Sequence, residues 1–109
     1  MRIKLVKEIS EMEKLVYYPL GSVLTLRDGT QKLIIIGRGL NVKDGEETYY
    51  FDYGAVPYPL GITEDRIVYF NHSAVDMVLF SGYNDDDNQI MNSIINQYVE
   101  EHTELRRKI

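Results

Sequence analysis

Residues 31–58 read QKLIIIGRGLNVKDGEETYYFDYGAVPY, and the fold is decided by how this stretch is paired. An apolar run, Leu33 to Ile36, passes through Gly37 and Gly39, meets Asp44-Gly45, and is followed by Tyr49, Tyr50, Phe51 and Tyr53. β-Branched and aromatic residues suit a pleated, half-buried surface, and Asp-Gly accepts the positive φ angles of tight hairpin turns, so the pattern predicts a β-hairpin. A lone hairpin is marginal in water, so the flanking segments must cover its apolar face. Gly37 and Gly39, two apart on the first strand, predict a bulge or a bend where another backbone crosses closely.

Working outward, the chain alternates with period two from Gly21, and Asp28-Gly29 supplies a turn into the apolar run. Three successive strands make a meander. Pro57 and Pro59 limit pairing after Tyr58, and residues 67–70 and 77–80 are two further short strand candidates. Before the sheet, residues 3–16 carry apolar side chains at Leu5, Ile9, Met12 and Val16, intervals that place one stripe on a helix ended by Pro19.

After the sheet, Ile90, Met91, Ile94, Ile95, Tyr98 and Val99 form a continuous apolar stripe. Asn84 reads as the N-cap, Asp85, Asp86 and Asp87 place negative charge in the first turn, and Arg106, Arg107 and Lys108 lie near the far end, matching the helix dipole. The expected architecture is α+β in one domain over residues 1–109. A small antiparallel β-meander (about 21–81) curls as an SH3-like partial barrel between an N-terminal helix (3–16) and a longer C-terminal amphipathic helix (about 85–104).

The chain's 109 residues, 44% apolar and 27% charged, have an ordinary globular balance. Its formal net charge of −5 argues against phosphate-backbone binding, which needs clustered Lys and Arg, so nucleic acid is not an expected partner. The absence of cysteine removes disulfides and thiolate sites. No run has membrane-spanning length, and the first residues lack a secretory pattern, so membrane insertion is not expected and the reading is cytoplasmic.

Three polar groupings invite chemistry and fit it poorly. Asp85 to Asp87 lacks the alternating ligands, central glycine and closing Glu of a calcium loop, so capping is the better account. Gly37-Arg38-Gly39 lacks the third glycine and following helix of a phosphate cradle. His72, Ser73 and Asp76 supply the residue types of a hydrolytic triad without its motif, and two histidines cannot make a histidine-rich metal site. No catalytic, metal or cofactor-binding residue is assigned, and an enzyme is not expected.

Nine tyrosines and the terminal stripe favour protein contact instead, since tyrosine packs its ring while its hydroxyl stays wet. Tyr49 and Tyr50 point to opposite faces of a strand, so at least one should be partly exposed. The stripe could pack on the sheet, dock a partner, or do both, with Ile90, Ile94 and Tyr98 on one flank and Met91, Ile95 and Val99 on the other. The candidate partner-binding residues are Tyr50, Met91, Ile95, Tyr98 and Val99.

The strings YPLGSV (18–23), KLIIIGRG (32–39), YYFDYG (49–54), YPLG (58–61), FNH (70–72) and VLFSGY (78–83) together resemble domain-of-unknown-function family 4176, over roughly residues 18–98. That resemblance implies a small protein encoded beside LXG polymorphic toxins and type VII secretion components of Gram-positive bacteria. The family offers no catalytic residues to carry over. The role it implies is a cytoplasmic accessory or chaperone-like adaptor for an LXG toxin. An immunity protein that neutralises the toxin is the alternative, and a small enzyme of unknown class a second one. Oligomeric state is not legible in the sequence.

Overall fold

The hairpin that organises the sheet is long because its turn residues sit in register. In this computed structural model, which describes residues 14–64, 66–104 and 106–107, strand β2 (Leu33–Asp44) pairs antiparallel with β3 (Glu47–Pro57), from Leu33 opposite Pro57 to Asp44 opposite Glu47. Only Gly45 and Glu46 remain in the loop. Gly45 takes φ +66° at the first loop position, where a side chain would be strained. The register shifts between Ile35 and Gly37, so Ile36 is the extra residue of a bulge, as the paired glycines lead one to expect.

Three short strands complete the antiparallel sheet. β1 (Val23–Leu26) pairs with β2, β4 (Val68–Phe70) pairs with β3, and β5 (Val75–Phe80) returns to pair with β1, giving the order β4-β3-β2-β1-β5. A two-residue strand, β6 (Arg106–Arg107), adds to β3 in parallel opposite Tyr49 and Tyr50.

The connection between β4 and β5 forces the sheet to bend. These strands sit at opposite ends of the order yet are joined by four residues, three of them in a 3-10 turn, His72–Ala74. Five extended steps would span at most about 18 Å, and the 3-10 rise of about 2 Å per residue shortens that further. The edges of a flat five-strand sheet lie roughly 19 Å apart. The sheet is therefore curled. β4 and β5 do not pair with each other, so among the described residues the sheet is open.

The core fills the concave side. Leu24, Leu33, Ile35, Tyr53, Ala55, Phe70 and Val75 come from the strands, Tyr17 from the segment before β1, and Ile95 from helix α1 (Asp86–Glu101). Seven consecutive β3 residues, Tyr50 to Val56, are buried, so this strand is covered on both faces.

Several expectations are corrected. The helix expected over 3–16 falls almost wholly outside the described residues, and residues 14–16 are not helical. The last helix is shorter than 85–104 at both ends. Its N-cap is Asp85, not Asn84: the Asp85 carboxylate accepts from the Asn88 N–H at 3.1 Å, while the Asn84 Oδ1 accepts from the Asn88 side-chain amide at 2.9 Å. His102 ends it, so Arg106 and Arg107 belong to β6 and not to the last helical turn.

Candidate partner-binding surface

What orients α1 is a row of asparagines. Asn88, Asn92 and Asn96 recur every four residues and so share one face. Arg38 Nη1 donates to Asn88 Oδ1 at 2.6 Å. The Tyr17 N–H donates to Asn92 Oδ1 at 2.7 Å and the Leu15 N–H to Asn96 Oδ1 at 3.0 Å, while both side-chain amides return a hydrogen bond to the Leu15 carbonyl. A helix-to-chain seam is thus built from side-chain amides, each able to donate and accept. Beside that seam Ile95 enters the core, its Cγ2 only 3.1 Å from where a Cβ on Gly39 would stand. Gly39 also has φ +61°, so glycine serves both the backbone bend and the close approach of the helix.

This rotation decides which apolar residues face solvent. Ile95 is 6% exposed, and Val99 packs partly buried against the core. Met91 is 44% exposed, and Ile90 and Ile94 are more than half exposed. Tyr98 is half-buried: its hydroxyl accepts from Asn41 Nδ2 at 2.9 Å, and its ring stacks on His102 at 4.0 Å.

Of the five candidate residues, then, Met91 is open to solvent and Tyr98 and Val99 are partly so. Ile95 and Tyr50 are core residues, which corrects their placement on a contact surface. Tyr50 is fully buried, while its neighbour Tyr49 is half-buried, in keeping with strand alternation. The apolar stripe was too wide to show its own rotation. The asparagine row at intervals of four was the available signal.

A second feature, a polar core, was missed altogether. Asp52 is 1% exposed; its Oδ2 accepts from the His72 N–H at 2.8 Å and its Oδ1 from the Tyr17 hydroxyl at 3.4 Å, which also meets the Tyr50 hydroxyl at 3.1 Å. The Asp52 N–H donates to Asn71 Oδ1 at 3.1 Å. The Tyr53 hydroxyl accepts from the Tyr18 N–H at 3.1 Å and lies 2.6 Å from His72 Nδ1.

Burial raises the Tyr53 pKa well above the ordinary phenol value and lowers that of His72, with Asp52 opposing the second shift. The protonated Tyr53 hydroxyl and the neutral His72 imidazole thus share this short hydrogen bond as uncharged groups. Tyr18 stacks on His72 at 4.8 Å and on Tyr53 at 5.9 Å. The whole arrangement ties the segment before β1 to β3 and to the 3-10 turn.

The residues weighed for chemistry are used separately. His72 Nδ1 meets Tyr53, the exposed Ser73 offers its carbonyl to Arg27 Nε at 3.0 Å, and Asp76 is exposed on β5. Gly37-Arg38-Gly39 lies within β2. Asp85 caps the helix and Asp86 and Asp87 occupy its first turn. An open cleft between the segment before β1 and the start of α1 is lined by Tyr18, Asn88, Asn92 and Ser81, and among the described residues its one ionisable side chain, apart from tyrosines, is His72. Among the described residues no three of the acidic or histidine side chains gather as metal ligands would, and no helix is long and apolar enough to cross a membrane.

A family model described as Domain of unknown function (DUF4176) matches residues 17–91. The chain belongs to this family. The DUF4176 match runs from Tyr17, which enters the polar core, through the whole antiparallel sheet to Met91 in the second turn of α1. No curated protein and no solved structure matches the chain.

Proposed function

We propose that this DUF4176 protein is a non-enzymatic adaptor that holds another protein, and that its partner is an LXG-type toxin of a type VII secretion system, as its family resemblance implies. The observation that carries the reading is the outer flank of α1. Ile90, Met91 and Ile94 stay about half exposed to solvent although the helix is anchored along its other side by Asn88, Asn92, Asn96 and Ile95. An apolar flank with its own anchoring already complete is free to dock a partner. Burying each side chain fully would contribute on the order of 1.5–3 kcal/mol, so even the remaining half of three residues gives a few kcal/mol.

The acidic first turn of α1 beside that flank favours a partner with basic residues at the matching edge. An immunity protein is the alternative of the same physical kind, since an acidic apolar surface also suits a basic toxin domain. Pull-down with separated toxin halves tests both: an adaptor for export retains the N-terminal half, and retention of the C-terminal half alone would replace this reading with the immunity one. We further propose that the curled sheet is an SH3-like partial barrel. Its support is the strand order together with the 3-10 turn between β4 and β5, and its cellular setting, on the same family resemblance, is the cytoplasm.

A further inference from the structure

Strand β5 is anomalous for the edge of a sheet. Its inner side pairs with β1, and no strand among the described residues pairs with its outer side. Val75 alone is buried. Met77 is 56% and Phe80 63% exposed, and Val78 and Leu79, between them, are also exposed. Met77 and Val78 are adjacent between the two places where the register with β1 shifts, so they point to opposite faces, and both are exposed: both faces of this strand are open there, along with its edge. Unpaired edge groups flanked by apolar side chains are a template for another strand.

The charge around the edge says which strand. Among the described residues Arg27, which lies beside the start of β5, donates to the Ser73 carbonyl at 3.0 Å, and the chain as a whole is acidic, with a formal net charge of −5. Asp76 sits on β5 itself, at one of two places where the register with β1 shifts. A charge and bulges on an edge are the usual guards against self-pairing, and here the guard is negative. It repels a second copy of this acidic chain and welcomes Lys or Arg beside the incoming strand.

We propose that the outer edge of β5 accepts an extended segment of a partner protein, apolar at alternate positions and flanked by basic residues, as an added strand. This surface is separate from the α1 flank. Asp76 would face a basic flank of the segment, and Met77 and Phe80 would pack on its apolar side chains.

The test uses the intact, ¹⁵N-labelled protein and two synthetic peptides, Lys-Lys-Val-Thr-Val-Thr-Val-Lys-Lys and the same core with Glu flanks. The expected result is peptide-dependent protection of the amides of residues 76–80, with the Glu-flanked peptide binding at least tenfold more weakly. A Met77→Lys/Phe80→Lys variant, checked for an unchanged melting temperature, should lose at least tenfold in affinity. Should that variant fail to fold, Asp76→Lys is the second test, expected to reverse the preference between the two peptides.

No protection of β5, or equal binding of both peptides, would overturn the proposal. So would a concentration-dependent dimer in which β5 is already protected, since the edge would then belong to a second copy. The α1 reading is scored separately by Met91→Asp/Ile94→Asp, which should leave peptide binding at β5 within twofold.

Discussion

At the scale of single residues the structure turns on glycine and on buried polar groups. Gly39 combines φ +61° with a helix side chain in contact range, so Gly39→Ala adds left-handed strain of about 1–2 kcal/mol and pushes on Ile95. Chemical denaturation should show a loss of about 2 kcal/mol or more. Gly82 is constrained differently. A Cβ there would run into the Leu20 carbonyl, and its N–H donates to the buried Ser22 Oγ at 2.9 Å, so Gly82→Ala should cost about 1–3 kcal/mol by overpacking alone.

His72 supplies a pH dependence. Its folded-state pKa is depressed by burial, so below the ordinary value of about 6.5 the unfolded chain takes up a proton that the folded chain resists. The stability associated with the neutral imidazole is complete above that value and falls as pH drops towards the folded-state pKa. His72→Gln, which keeps a hydrogen-bonding partner for the Tyr53 hydroxyl, should lose less stability than the native chain between pH 7.5 and 5.5 in paired thermal melts. An equal or steeper loss would show that His72 is not the group responsible.

At the scale of elements, legibility followed how local the deciding interaction is. The β2–β3 hairpin could be read because Asp44-Gly45 fixes its turn and the strand residues flank it directly. The pairing of β5 with β1 could not, because it joins segments about fifty residues apart and nothing in VDMVLF says which neighbour it takes. Arg106 and Arg107 fit a helix end by charge, yet tertiary pairing with β3 claimed them.

The rotation of α1 was hidden for a similar reason: six apolar residues span too much of the helix surface, and polar contacts of Asn88, Asn92 and Asn96 settled it. Ile95→Ala should therefore cost about 2–5 kcal/mol, whereas Met91→Ala should stay within about 0.5 kcal/mol. Urea titration of the two variants checks the assignment of faces. The polar core of Asp52, Tyr17, Tyr50 and His72 was illegible because its members lie on three separate segments, and a lone Asp in an aromatic strand reads as solvated.

At the scale of the molecule, a curled sheet carries a helix whose anchoring is complete on one side and whose other side is apolar and open. The polar core fixes the segment before β1, that segment fixes α1 through the asparagine row, and α1 then presents Ile90, Met91 and Ile94 outward. The proposed adaptor role thus puts stability and partner contact on different residues of the same helix, and the two should separate experimentally. The most direct measurement is the affinity of the Met91→Asp/Ile94→Asp protein for the LXG toxin, made alongside its thermal melt. The adaptor account expects an unchanged melting temperature with at least a tenfold loss of affinity. Unchanged affinity in a fully folded variant would contradict it.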